Sequence, residues 1–303
     1  MCIRDSAISA QVRRGRPIAV LFATVVVGAL VGAMTGAVSG ANASTRGRIQ
    51  QGAFHSSALR GTLRYAVWLP RGYTTYPTRR YPVLYVLHGL PGGEYSYRSL
   101  LFLVPVLDRI NAQAIVVFPQ GARRGDSDDE YLDLGVGRDW ASALTRELTV
   151  AIASRYRTFN TRDARGLIGI SAGGYGATIL GLHNLSRYRL IESWSGYFHA
   201  TNPDGSAPMP LSARMARWGN AHALVSGLAR RFSRYRTFLG FYTGNRDPYA
   251  GFVAENERFD KELRDAHIPH RFAVYPGGHD TGLWHAHATA WLRLAVGSLR
   301  KAS

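Results

Sequence analysis

From about Ala58 onward, short runs of β-branched and aromatic residues alternate with longer segments of helical period. The strand-like runs are 63–69, 83–87, 115–118, 166–169, 190–193, 238–242 and 271–275. Several are continuously apolar, as expected of strands covered on both faces. Between or after them, 100–110, 140–156, 174–183, 256–267 and 284–294 read as helices. The alternation predicts an α/β fold with a mostly parallel central sheet and helices on both faces. Segment 201–236, in which Pro203, Pro208 and Pro210 precede Trp218, interrupts the pattern and is expected to be an insertion or lid near the functional site. No internal repeat is present.

The N-terminal pattern is different. Arg13, Arg14 and Arg16 precede an uncharged run from Ile18 to Ser39 that ends at Ala41-Asn42-Ala43. That order matches the charged region, apolar core and small-residue cleavage site of a secretory signal, predicting a leader over 1–43 cut after Ala43. The run is also long enough to span a bilayer, and Gly28, Gly32, Gly36 and Gly40 recur at the spacing of close-packed membrane helices, so an uncleaved anchor is the competing reading. Either reading puts the remainder outside the cytoplasm. Polar residues over 44–57 read as a linker, leaving 58–303 as one catalytic domain.

Charge narrows the choice of partners. The chain has 37 Lys and Arg against 20 Asp and Glu, a net charge of +17, and loss of the leader would leave it strongly basic. No basic-aromatic recognition motif accompanies the charge, which argues for an anionic envelope surface or an acidic substrate over nucleic acid. The single cysteine, Cys2, precedes the apolar core of the leader, so the mature chain has no disulfide, thiolate metal site or cysteine nucleophile. The acidic stretch Asp126 to Glu130 lacks the spacing of a calcium loop, and the pair His285 and His287 lacks a third ligand. No metal or organic cofactor is implied.

The chemistry begins at Gly169-Ile170-Ser171-Ala172-Gly173-Gly174, a G-x-S-x-G motif between a strand and a helix. In that context the serine sits on a turn so sharp that the positions two before and two after it must be small, which identifies Ser171 as a candidate nucleophile. Val86-Leu87-His88-Gly89-Leu90, again at a strand end, is the loop expected to supply one oxyanion donor through the Leu90 amide, with the Ala172 amide as the second. His88 is read as shaping that loop. His279 in Tyr275-Pro276-Gly277-Gly278-His279-Asp280 follows the last strand and is the candidate base. A carboxylate must orient it, and chain order offers Asp247 after the strand at 238–242, with Glu255 as the alternative.

Together with Tyr81-Pro82-Val83-Leu84-Tyr85 and Ser193-Trp194-Ser195-Gly196, these motifs resemble the esterase D-like branch of the α/β hydrolases over about Ala58 to Leu294. That branch includes S-formylglutathione hydrolases, feruloyl and other carbohydrate esterases, and secreted mycolyltransferases. The resemblance implies the α/β-hydrolase fold, with Ser171 as nucleophile, His279 as base and Leu90 and Ala172 as oxyanion donors. For the acid, esterase-type members point to Asp247 and the mycolyltransferases to Glu255. The expectation is an extracytoplasmic serine esterase acting on a small-molecule, glycan or lipid ester. An acyltransferase to a sugar or lipid hydroxyl is the first alternative, and a catalytically idle envelope-binding domain the second. Tyr175, Trp194, Tyr249 and Trp284 are candidate pocket residues.

Overall fold

The computed structural model describes residues 46–123, 131–202 and 207–303. The leader over 1–43 and the acidic stretch 126–130 lie outside the described residues. Among the described residues, eight strands form one sheet: β1 (Arg48–Ser56), β2 (Gly61–Leu69), β3 (Val83–Leu87), β4 (Ile115–Pro119), β5 (Arg165–Ile170), β6 (Leu190–Trp194), β7 (Phe238–Gly244) and β8 (Arg271–Tyr275). Their order is β1-β2-β4-β3-β5-β6-β7-β8, antiparallel across β1, β2 and β4 and parallel from β4 to β8. The expected linker is corrected by β1, which pairs along its whole length with β2 from Arg48↔Leu69 to Ser56↔Gly61. Its exposed and half-buried positions follow no strict alternation and lack a strong apolar period, as suits an edge strand.

The helices are α1 (Val104–Arg109), α2 (Trp140–Ser142), which runs through a π-helical stretch, Ala143–Glu147, into α3 (Leu148–Arg155), then α4 (Ala172–His183), α5 (Ala213–Trp218), α6 (Ala221–Tyr235), α7 (Phe252–Asp265) and α8 (Thr281–Ser298). They cover both faces. Leu84, Val86, Ile168 and Ile170 meet α1 and α8 through Leu107, Trp291 and Leu292, whereas Tyr85, Leu87 and Leu167 meet Leu144, Leu148 and Leu180 on the other side. The period of two along each strand therefore feeds two cores. Burying one such aliphatic side chain contributes about 1.5–3 kcal/mol.

In the region expected to be an insertion or lid, the described residues form α5 and α6. Val225, Leu228 and Phe232 of α6 pack with Phe198, Phe241 and Phe259 into a third apolar cluster, so α6 is a packed flank of the sheet rather than a free flap.

Candidate active site

The chain leaves β3 towards β4 on one side of the sheet and leaves β5 towards β6 on the other, so the loops after β3 and β5 part and open a crevice. Ser171 and Gly89-Leu90 both lie there. Ser171 has φ 58° and ψ −125°, a left-handed backbone for a residue with a side chain. The turn requires its glycines: a Cβ on Gly169 would collide with the Gly173 backbone, and one on Gly173 with the Leu87 carbonyl. Sharpness at this turn points Ser171 out of the sheet.

Ser171 Oγ lies 2.8 Å from His279 Nε2, and His279 Nδ1 lies 2.7 Å from Asp247 Oδ2. The side chain of Asp247 is fully buried and that of His279 nearly so. The other Asp247 oxygen accepts from the Tyr249 N–H at 3.0 Å. Tyr249 and Trp284 meet the imidazole edge to face, with ring centroids at 4.8 and 5.6 Å, which fixes the ring plane. β7 carries Asp247 on the loop after its end, and Asn245 N–H bonds Tyr275 O of β8, holding the two loops together. The structure thus brings together Ser171, His279 and Asp247 from loops separated by up to 108 residues.

Leu90 lines the cavity beside Gly89, and its N–H has no backbone acceptor among the described residues. Ala172 opens α4, where the first amides of a helix have no intrahelical partner. Both amides are thus available to an oxyanion. His88 is buried and holds the loop: Gly121 N–H donates to its Nε2 at 3.0 Å, so its Nδ1 carries the proton and donates to Gly89 O at 2.8 Å. Burial pushes its pKa down to about 4, so the ring is neutral. Tyr131 donates its hydroxyl to the His88 carbonyl.

The alternative acid is placed elsewhere. Glu255 sits in the first turn of α7, and its Oε1 accepts from Phe198 N–H at 3.0 Å and lies 2.5 Å from His199 Nδ1 and 3.3 Å from His222 Nε2. Burial pushes this carboxyl up, but the bonds from His199 and His222 outweigh it and hold the pKa at about 2. Glu255 in turn raises His199. Being spent on these three donors, Glu255 is not the partner of His279.

A cavity of about 250 Å³ adjoins Ser171, walled by Leu90, Phe102, Tyr197, Tyr249, Phe252 and Trp284, with Ser99 and Thr281 as hydroxyl groups. Of the expected pocket residues, Tyr249 and Trp284 line it. Tyr175 and Trp194 are core instead: Tyr175 is fully buried with its hydroxyl on Gly219 O, and Trp194 packs under the sheet with its indole N–H on Glu192. No residue of 201–236 lines the cavity among the described residues, which corrects the expected lid. Sequence reasoning missed Phe102, Tyr197 and Phe252. Tyr197 could have been found, since it directly follows Ser193-Trp194-Ser195-Gly196. His285 and His287 part, His285 packing tilted against Phe102 and His287 stacking on Tyr275.

The sequence profile of the esterase family, described as "Putative esterase", matches residues 56–293, and the chain belongs to this family. An esterase of Mycobacterium tuberculosis (strain H37Rv) is 27% identical over 249 residues, covering 75% of this chain and 54% of that protein. The S-formylglutathione hydrolase of Paracoccus denitrificans is 27% identical over 174 residues, 51% of this chain and 60% of that protein. The chain therefore spans little more than half the length of these relatives. Among solved structures, a ferulic acid esterase superposes with TM-score 0.73 at 22% identity, covering 84% of this chain and all of that one. An S-formylglutathione hydrolase from Agrobacterium tumefaciens gives 0.70 at 17%, covering 86% and 98%, and MPT51 of Mycobacterium tuberculosis 0.67 at 18%, covering 84% and 99%. At these identities the structures share the α/β-hydrolase fold.

Proposed function

We propose that this esterase-family chain is an extracytoplasmic serine hydrolase of carboxylic esters. The reading rests above all on the continuous contact of Ser171 Oγ, His279 and Asp247 at 2.8 and 2.7 Å. His279 takes the serine proton as Oγ attacks the acyl carbon, and Asp247 stabilises the imidazolium that forms. The Leu90 and Ala172 amides bind the oxyanion. Collapse of the tetrahedral intermediate returns the proton from His279 to the leaving alcohol and leaves an acyl-enzyme on Ser171. Water then repeats the sequence, with His279 again as base, and releases the acid.

The aromatic-walled cavity of about 250 Å³ lies below the usual range of ligand pockets and favours a short or aromatic acyl group over a long alkyl chain. Ferulic acid and sinapinate, bound by structures of similar fold, are acids of that kind. The leader reading puts the activity outside the cytoplasm, with residues 1–43 either removed or kept as an anchor. Among the described residues no helix is long and apolar enough to cross a membrane.

Hydrolysis of a p-nitrophenyl ester series from acetate to palmitate, run beside Ser171→Ala, tests the reading. It predicts a rate that peaks at short chains and disappears in the variant. Activity that survives Ser171→Ala, or peaks at palmitate, contradicts it. Added alcohols that divert the product from acid to ester would move the reading to an acyltransferase.

A further inference from the structure

We propose that the end of the sheet opposite Ser171 carries a second site, a groove that binds the phosphate groups of an extended anionic polymer. Arg189 immediately precedes β6, Phe238 opens β7 and Arg271 opens β8, so the three mark the edge where these parallel strands begin. Ser171 lies where β5 ends. Strands of this length put the two ends roughly 20 Å apart at about 3.3 Å per residue.

An open groove of about 650 Å³ runs along this edge, with Arg189, Arg236, Arg271, His267 and His270 on its walls and Phe232 in its floor. The neighbouring arginines are tied down. Arg162 bonds Leu185 O and Thr237 Oγ1, Arg187 bonds Thr145 O, and Arg231 bonds His183 O. The guanidinium groups of Arg189 and Arg236, by contrast, have no hydrogen bond or ion pair among the described residues. Arg271 lies over the face of Trp291 at 5.5 Å and has no hydrogen bond or ion pair among the described residues. No described carboxylate lines the groove. The nearby Asp260 is spent on His270 at 2.9 Å and Arg264 at 2.6 Å. Glu192, which also feels Arg271, is buried in the sheet and pushed up to about 8 by burial, so it offers no counter-charge near neutral pH.

The result is a concentration of uncompensated positive charge. Beside the groove, Arg162 is held below its usual pKa by burial first and by the charge of Arg189 second, with Asp163 acting the other way. Arg236 and His267 also occupy left-handed backbone positions, φ 49° and 52°, where glycine or asparagine would be the relaxed choice, yet both present cationic or ionisable side chains to the groove. Guanidinium forks match phosphate oxygens in pairs, and several along one concave edge suit successive phosphates of a chain. A flat lipid surface fits less well, because the groove is concave and its apolar residue Phe232 is buried rather than exposed for insertion. A polymer held here leaves the Ser171 end of the molecule unobstructed.

Binding of long-chain inorganic polyphosphate by the purified protein tests this. The triple variant R189Q/R236Q/R271Q is compared with R48Q/R214Q/R217Q, which removes three exposed charges elsewhere. The groove variant is expected to bind ~10-fold or more weakly and the control within ~2-fold of the parent, both retaining ester hydrolysis. Equal weakening in both variants would show a general charge effect and overturn the site. Loss of binding to phosphatidylglycerol vesicles in the groove variant, with polyphosphate binding unchanged, would replace the polymer by a lipid surface and overturn the proposal. The test does not depend on the assignment of the esterase, since hydrolysis serves only to report folding.

Discussion

Two carboxylate and histidine assemblies lie on neighbouring segments of this chain, Asp247 with His279 and Glu255 with His199 and His222. Both pair a carboxylate shielded from solvent with imidazole, Asp247 with His279 at 2.7 Å and Glu255 with His199 at 2.5 Å and His222 at 3.3 Å. They differ in what lies beyond the histidine. His279 turns its second nitrogen to Ser171 Oγ, whereas His222 turns its second nitrogen to another carboxylate, Glu262, at 2.7 Å. One assembly can move a proton from a nucleophile; the other meets no hydroxyl among the described residues. Glu255 instead pins Phe198 N–H, and the adjacent Asn256 bonds Gly196 O at 2.8 Å, so this assembly fixes the segment that presents Tyr197 to the cavity. Pairing a carboxylate with a histidine is therefore not a catalytic signature until the third member is placed.

The contrast breaks most sharply at Asp247. Asp247→Asn should lower kcat by ~10³–10⁴-fold while leaving the fold intact, because the imidazole loses its tautomer and its charge partner. A fall of less than ~10-fold, measured by steady-state kinetics, would remove Asp247 from the mechanism. Glu255→Gln should lower kcat/KM by less than ~10-fold and cost about 1–3 kcal/mol of stability, read by denaturant unfolding, since buried donors lose their anion. A loss of activity as large as that of Asp247→Asn would reverse the assignment.

Acid sharpens the same comparison. The folded-state pKa of Glu255, about 2, lies below its ordinary 4.5, so its stabilisation is whole above 4.5 and is lost as pH falls towards 2. His88 acts at higher pH: burial lowers it from 6.5 to about 4, so its neutral form favours the fold fully above 6.5 and that contribution fades as pH falls to 4. Unfolding followed between pH 7 and 4 should show the parent losing stability, by about 3 kcal/mol from this group, and His88→Gln should flatten that window while leaving the loss below pH 4.5 in place. An unchanged slope in His88→Gln would contradict the buried neutral ring.

Where burial and turn chemistry act locally, the fold was legible from the residues alone. Val83–Leu87 and Arg271–Tyr275 coincide with their expected bounds, because apolar runs between turn residues have little freedom to shift. The elbow at Ser171 and the glycine loop before His279 were legible for the same reason. Three features depended on tertiary pairing. β1 is an edge strand with weak apolar period, so its pairing with β2 could not be read from its own residues. The role of Glu255 depends on His199 and His222, 56 and 33 residues away in sequence. Phe102 and Phe252 reach the cavity from a turn before α1 and from the start of α7, where nothing in the local pattern separates a pocket aromatic from a core one.

Labelling with a fluorophosphonate, followed by peptide mapping, identifies the nucleophile. A single adduct is expected on Ser171, absent in Ser171→Ala, slowed strongly in His279→Ala and nearly unaffected in Glu255→Gln. An adduct on another residue, or undiminished labelling of Ser171→Ala, would contradict it.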